Sequence, residues 1–226
     1  MRGRAPTVAT EPIVPVRLAQ DQVFEAGDYL GRAVADDPIV SAIVPVPSHR
    51  TRQAMATASR HLVQYAERWG EVYTTGGRID GLAVWLPPAP HQPVGLARRG
   101  AALLTALTAE LEPDDTIRLV GIGMRLARAR RRAIDRPHWH LVTLSTCSPQ
   151  IEVISDALIR PILARADMER VPCFTASARA QQVLFFVRHG FQAVRDDLLT
   201  PRGPRVWSLV REPRQSPAAW HLTPDA

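Results

Sequence analysis

Two histidines stand two residues apart in the segment PHWHLVTLST, at positions 138 and 140. Residues two apart on a strand share a face and lie about 6.5–7 Å from each other along it. His138 and His140 therefore present two imidazoles to one side. An imidazole near its ordinary pKa exchanges protons at neutral pH, which makes both candidates for acid/base chemistry, with a hydrogen-bonded structural ring as the alternative at each. Cys147 follows on the same strand, ahead of a helix start whose dipole favours a thiolate. Glu152 and Asp156 oppose that effect, and a small apolar filler is the alternative reading of Cys147. Asp36-Asp37-Pro38 sets two carboxylates side by side, either for acid/base work or as a helix end before proline. No histidine or carboxylate falls at a metal-ligand spacing such as H-E-x-x-H, and there is no G-x-S-x-G, so no metal is expected. Cys147 and Cys173, the two cysteines of the chain, suggest neither a disulfide framework nor a zinc site.

The elements that must position these groups follow from the rest of the chain. At 226 residues, 46% hydrophobic and 22% charged, it has the composition of one α/β domain. Residues 1–14 read as a flexible arm, 15–213 as the domain and 214–226 as a polar tail. No apolar run is long enough for a bilayer and no signal peptide opens the chain, so a cytoplasmic protein with no membrane partner is expected. The formal net charge is +6, and all 28 basic side chains are arginine. The densest run, MRLARARRRAIDR at 124–136, has no interleaved aromatics, so a solvated helix end is expected there and no nucleic-acid partner.

Periodicity and turn residues predict a short strand and helix over 16–38, a turn-rich stretch around Pro45 and Pro47, and a helix over 51–70 ended by Gly70. A hairpin of strands at 71–76 and 81–88 comes next. Two helices broken at Pro113 follow, then a strand at 138–146 and a helix at 152–170 that Pro161 should kink or interrupt. The chain closes with a strand from Pro172, a helix over 180–190 capped by Gly190, and two further strands.

That order, together with DDP at 36–38, WLPP at 85–88, HWHL at 138–141 and RHGF at 188–191, resembles the GNAT superfamily of acyl-CoA-dependent N-acetyltransferases. The resemblance runs from about Val16 to Pro213. It implies a mixed α/β fold: a central twisted, mostly antiparallel sheet with a late parallel strand pair, and helices on both faces. It also implies a monomer or homodimer and a small-molecule acceptor. The expected substrate contacts are Asp36 and Asp37 over the acceptor pocket and Arg179, with Tyr73 and Trp85 on the hairpin read as core or as pocket wall. Aligned on Leu144, His140 falls where several members carry a general-base carboxylate.

An acyl-CoA site is implied at the strand-to-helix turn, held by Leu144, Thr146 and the stretch Gln150, Ile151, Glu152, Val153, Ile154 and Ser155. A helix start supplies unpaired N–H donors and positive dipole there, and glycine lets the backbone close on a diphosphate. Gln150 matches the Q/R-x-x-G-x-G/A signature, but Val153 and Ser155 stand in place of its glycines. Ile151 replaces a further position that is often glycine. Glu152 stands where a basic residue is usual, and Asp156 follows. Phe186 replaces a tyrosine general acid, Ala176 a glutamate, and Arg179 or Gln182 the asparagine that contacts the CoA arm.

Substitution thus gathers at the cofactor positions while the core motifs persist. The expectation is an enzyme that has lost acetyl-CoA, uses no cofactor, and performs acid/base chemistry on a small molecule in a specialised biosynthetic pathway. Cyclisation, elimination and isomerisation are the reaction types considered. The alternatives are an acetyl-CoA-dependent N-acetyltransferase with a divergent site and a catalytically inactive binding protein.

Overall fold

A computed structural model describes residues 13–45, 48–88 and 111–214. Its elements are β1 (Pro15–Arg17), a 3-10 turn, α1 (Val23–Ala33), α2 (Pro38–Ile43), α3 (His49–Trp69), β2 (Glu71–Thr75), β3 (Gly81–Leu86) and α4 (Pro113–Ala133). They continue as β4 (Trp139–Thr146), α5 (Ile151–Glu169), β5 (Cys173–Ser177), α6 (Ala180–Arg188), β6 (Gln192–Leu198) and β7 (Arg205–Arg211). The helix expected before Pro113 and most of the expected arm and tail lie outside the described residues.

The strands form one sheet in the order β1-β2-β3-β4-β5-β7-β6, antiparallel except for the β4–β5 pair. β3 sits near its centre, and five of the six residues in GLAVWL are buried, as a strand covered on both faces requires. On one face, Trp85, Trp139, Leu141, Leu158, Ile159 and Ile162 pack together under α5, joined by Phe186 from α6. On the other, Leu18, Leu30, Val63, Val72, Leu82 and Val84 pack under α1 and α3. Gly81 lets α5 come close, because a Cβ there would lie 2.5 Å from Ile154 Cγ2 and 2.8 Å from Leu158 Cδ1. At the end of α6, Gly190 takes a left-handed φ of 88°, and the Phe191 N–H returns to the Phe186 carbonyl at 3.1 Å.

One element differs from expectation. The stretch before Pro45 forms the short helix α2, and Asp37 starts it instead of ending the previous one. The Asp37 carboxylate accepts from the Ile39 N–H at 2.8 Å, and Pro38 takes the first helical position, where its missing N–H costs nothing. Pro161 does not interrupt α5. Its missing hydrogen bond is offset by packing, since Leu158, Ile159, Ile162 and Leu163 around it are all buried against the sheet.

The sheet and α5 are also tied by charge. Arg211 of β7, 2% exposed, donates through both terminal nitrogens to Asp167 of α5 at 2.7 Å each, and its Nε donates to the His189 carbonyl. Burial opposes ionisation of Asp167, but the Arg211 hydrogen bonds and the Arg214 N–H outweigh it and hold the carboxyl below its ordinary pKa. Removing the carboxylate strands a buried guanidinium. Asp167→Ala should therefore lower the unfolding free energy by about 3 kcal/mol in chemical denaturation; a loss below about 1 kcal/mol would show that the pair is a surface ornament.

Candidate functional site

β4 and β5 pair over only three residues, Trp139 with Cys173, His140 with Phe174 and Leu141 with Thr175. Beyond that point β4 continues to Thr146 without β5. A register shift against β3 leaves Val142 as an extra residue, and such a bulge bends a strand away from its neighbour. The backbone groups exposed by the parting take side-chain partners. Thr175 Oγ1 donates to the Leu141 carbonyl at 3.0 Å, and Gln182 Nε2 of α6 donates to the Leu144 carbonyl at 3.1 Å. Ser177 Oγ donates to Gln182 Oε1 at 2.7 Å and so orients the amide.

β4 beyond the parting, the end of α1, the start of α5 and one side of α6 border a cleft of about 890 Å³. This is within the usual range for small-molecule sites. Thr143, Leu144, Ser145 and Thr146 of β4 line its floor, with Thr143 Oγ1 and Ser145 Oγ 3.3 Å apart. Arg179 stands at one wall, where Nη2 donates to the Asp36 carbonyl at 2.7 Å and Nε lies 3.5 Å from Asp37 Oδ2. At the other wall Glu152 of α5 meets Arg188 of α6 at 2.9 Å. The hydrogen bond and charge of Arg188 lower the Glu152 pKa, and Glu152 raises that of Arg188 in return.

α5 begins without a side-chain cap, its first residues being Ile151, Glu152 and Val153. Glu152 supplies the negative charge that complements the dipole there. Ile151 and Val153 are 54% and 51% exposed, and Leu184 and Val187 of α6 are 64% and 49% exposed. Ile151, Leu184 and Val187 line the cleft.

The cleft brings together Asp37, Leu144, Thr146, Ile151, Glu152, Ser155 and Arg179 from the residues singled out in the sequence. The others lie elsewhere. Trp85 is fully buried in the core under α5, and Tyr73 packs at that core's margin, its hydroxyl pKa raised first by burial and then by Glu71. Ile154 is buried in the same core, whereas Val153 and Gln150 are exposed outside the cleft lining. Asp36 contributes to a second, smaller cavity between α1, α2 and α3. Cys147 is exposed, and its N–H donates to the Asp80 carbonyl at 3.2 Å. That same carbonyl accepts from the Tyr29 hydroxyl at 2.9 Å.

His138 and His140 do share one side, with ring centroids 6.5 Å apart, but neither lines the cleft. Both rings lie against Phe174, at 5.8 Å and 5.3 Å. The bulge at Val142 changes the phase of β4, so that Leu144 joins Trp139 and Leu141 in the α5 core while Thr143 and Ser145, opposite Val84 and Leu82, take the side that carries His140. Arg130 of α4 lies 3.2 Å from His140 Nδ1. A guanidinium can only donate, so Nδ1 accepts and the ring proton sits on Nε2. Burial, then the charge of Arg130 and the neighbouring His138, push the His140 pKa down to about 3. Burial likewise lowers that of His138, whose Nδ1 is held 2.7 Å from the Arg136 carbonyl. The half-buried His140 ring is thus biased toward its neutral form and is a weaker base than a free imidazole.

The residues that sequence reasoning passed over are Thr143, Ser145, Leu184, Val187 and Arg188. One signal pointed to two of them. Val183 to Val187 are five consecutive apolar residues on a helix, and one helix face cannot bury them all.

The sequence matches no protein-family profile. Comparison with solved structures is informative. An acetyltransferase of Corynebacterium glutamicum, described as a histone acetyltransferase and related acetyltransferase, superposes with a TM-score of 0.65 at 18% identity, covering 91% of this chain and 99% of its own. Polyamine N-acetyltransferase of Drosophila melanogaster superposes at 0.59 with 14% identity, over 88% and 99%. The C-terminal condensation domain of Ebony, in complex with β-alanyl-dopamine, does so at 0.62 with 11% identity, over 88% and 98%. The chain has the GNAT fold. Its parting parallel strands, late in the order and flanked by α5 and α6, are where that fold opens its cleft in this chain.

An imidazole that is harder to protonate when folded leaves the protein fully stable above about pH 6.5 and costs stability as pH falls from there toward about 3. In a histidine NMR titration the His140 resonances should stay unchanged from about pH 8 down to about pH 5; a midpoint near 6.5 would return His140 to the list of usable bases.

Proposed function

We propose that this chain is a GNAT-fold enzyme that works without acetyl-CoA, on a small molecule held in the cleft between β4, α5 and α6. One observation carries the reading. Where a diphosphate would need bare backbone and free positive charge, α5 opens with Ile151, Glu152 and Val153, and Arg188 facing that turn is already paired with Glu152. A carboxylate at a helix start takes the favourable dipole for itself and repels a bound anion. Side chains at the signature positions also keep a diphosphate from the backbone that glycine would expose. On the other side of the cleft, Gln182 occupies the Leu144 carbonyl at the parting of β4 and β5.

Acid/base chemistry suits such a cleft. A cyclisation, elimination or isomerisation needs protons moved and no acyl donor. The groups present to relay a proton are the Thr143 and Ser145 hydroxyls on the floor, while the Asp37 and Glu152 carboxylates at the walls are paired with Arg179 and Arg188. Phe186, 1% exposed, is core and offers none. The condensation domain bound to β-alanyl-dopamine supports the view that this fold serves reactions other than transfer of an acetyl group.

A second reading, acetyl transfer with a divergent CoA site, is favoured by the uncapped start of α5, whose N–H groups have no side-chain acceptor. Calorimetric titration of the full chain with acetyl-CoA separates the two. No heat of binding is expected up to millimolar ligand; a saturable micromolar isotherm would overturn the first reading and establish the second.

A further inference from the structure

Every charge that lines the cleft has a partner of opposite sign within it. Asp37 faces Arg179 at 3.5 Å, and Glu152 faces Arg188 at 2.9 Å. A charged ligand would find no free counter-charge and would have to break one of these pairs. Between them three exposed apolar side chains line the cleft, Ile151 at the start of α5 and Leu184 and Val187 on α6, with the exposed polar Gln181 beside them. Leu184 and Val187 are three apart and therefore neighbours on the helix surface. Hydrogen-bonding groups stand along β4, where Gln182 holds the Leu144 carbonyl and the Thr143 and Ser145 hydroxyls lie 3.3 Å apart.

From this we infer that the cleft takes an uncharged, elongated, largely apolar ligand: an alkyl or aryl chain laid over Ile151, Leu184 and Val187, ending in a hydrogen-bonding head such as an amide, ester or hydroxyl. The head meets the Gln182 amide and the Thr143 and Ser145 hydroxyls. The inference rests on the preceding reading for the cleft being free of CoA, and adds the chemical class of what occupies it. Removing the three apolar side chains from water on binding supplies the affinity, and the polar floor supplies the orientation.

N-phenyl-1-naphthylamine, a neutral apolar fluorophore, serves as the probe. Its fluorescence should rise saturably on titration with the full chain. Leu184→Asp and Ile151→Asp, both at exposed positions that leave the fold intact by circular dichroism, should each weaken that binding by about ten-fold or more. Ile117→Asp on α4, at a side chain 70% exposed and outside the cleft, should leave it unchanged. Absence of a saturable rise, or equal binding by Leu184→Asp, Ile151→Asp and the unmodified chain, overturns the inference. Displacement of bound probe by acetyl-CoA would instead leave the apolar cleft standing and sink the CoA-free reading, so the two failures are distinguishable.

Discussion

The parting of β4 from β5 after three paired residues is the constraint on which the site depends. Two strands that separate inside a buried sheet expose backbone groups that must find other partners. Here the partners are side chains: Thr175 for the Leu141 carbonyl and Gln182 for that of Leu144, with Ser177 holding the amide in place. The bulge at Val142 turns β4 outward, and Gly81 lets the start of α5 settle on β3 beside it. The cleft is the space these requirements leave, and α6 closes it because Gln182 must reach into the gap.

Charge then decides what that space can hold. A helix start opening on two parted strands is well placed to bind an anion, but this one carries Glu152 on its first turn and delivers the nearest arginine to that carboxylate. Arg179 is spent in the same way, bracing the turn before α2 through the Asp36 carbonyl and the Asp37 carboxylate. The cleft is therefore neutral by pairing. Its exposed apolar residues contribute to binding only if a ligand covers them.

The sheet and its helices were largely legible in the sequence. The unbroken apolar run of β3, the glycine after α6 and the order of elements all carry direct physical signals. α2 was not legible, because Asp37-Pro38 serves equally as an end before proline and as a cap followed by proline at the first helical position. The histidine pair shows the other limit. Strand alternation places His138 and His140 on one side correctly, but it fails past the single extra residue at Val142, where Thr143 and Ser145 take that same side, and no residue type announces the bulge. Nor does spacing reveal Arg130, which lies on another element and donates to His140 Nδ1.

The N–H groups of Ile151, Glu152 and Val153 are the donors that any diphosphate at the start of α5 would have to use. Their positions in a nitrogen-15 correlation spectrum, followed as acetyl-CoA is added to the full chain, test the central claim most directly. Unchanged resonances for these three amides at saturating concentration are expected. A dose-dependent shift centred on them, with smaller shifts along Leu144 to Thr146, would place a nucleotide in the cleft and contradict it.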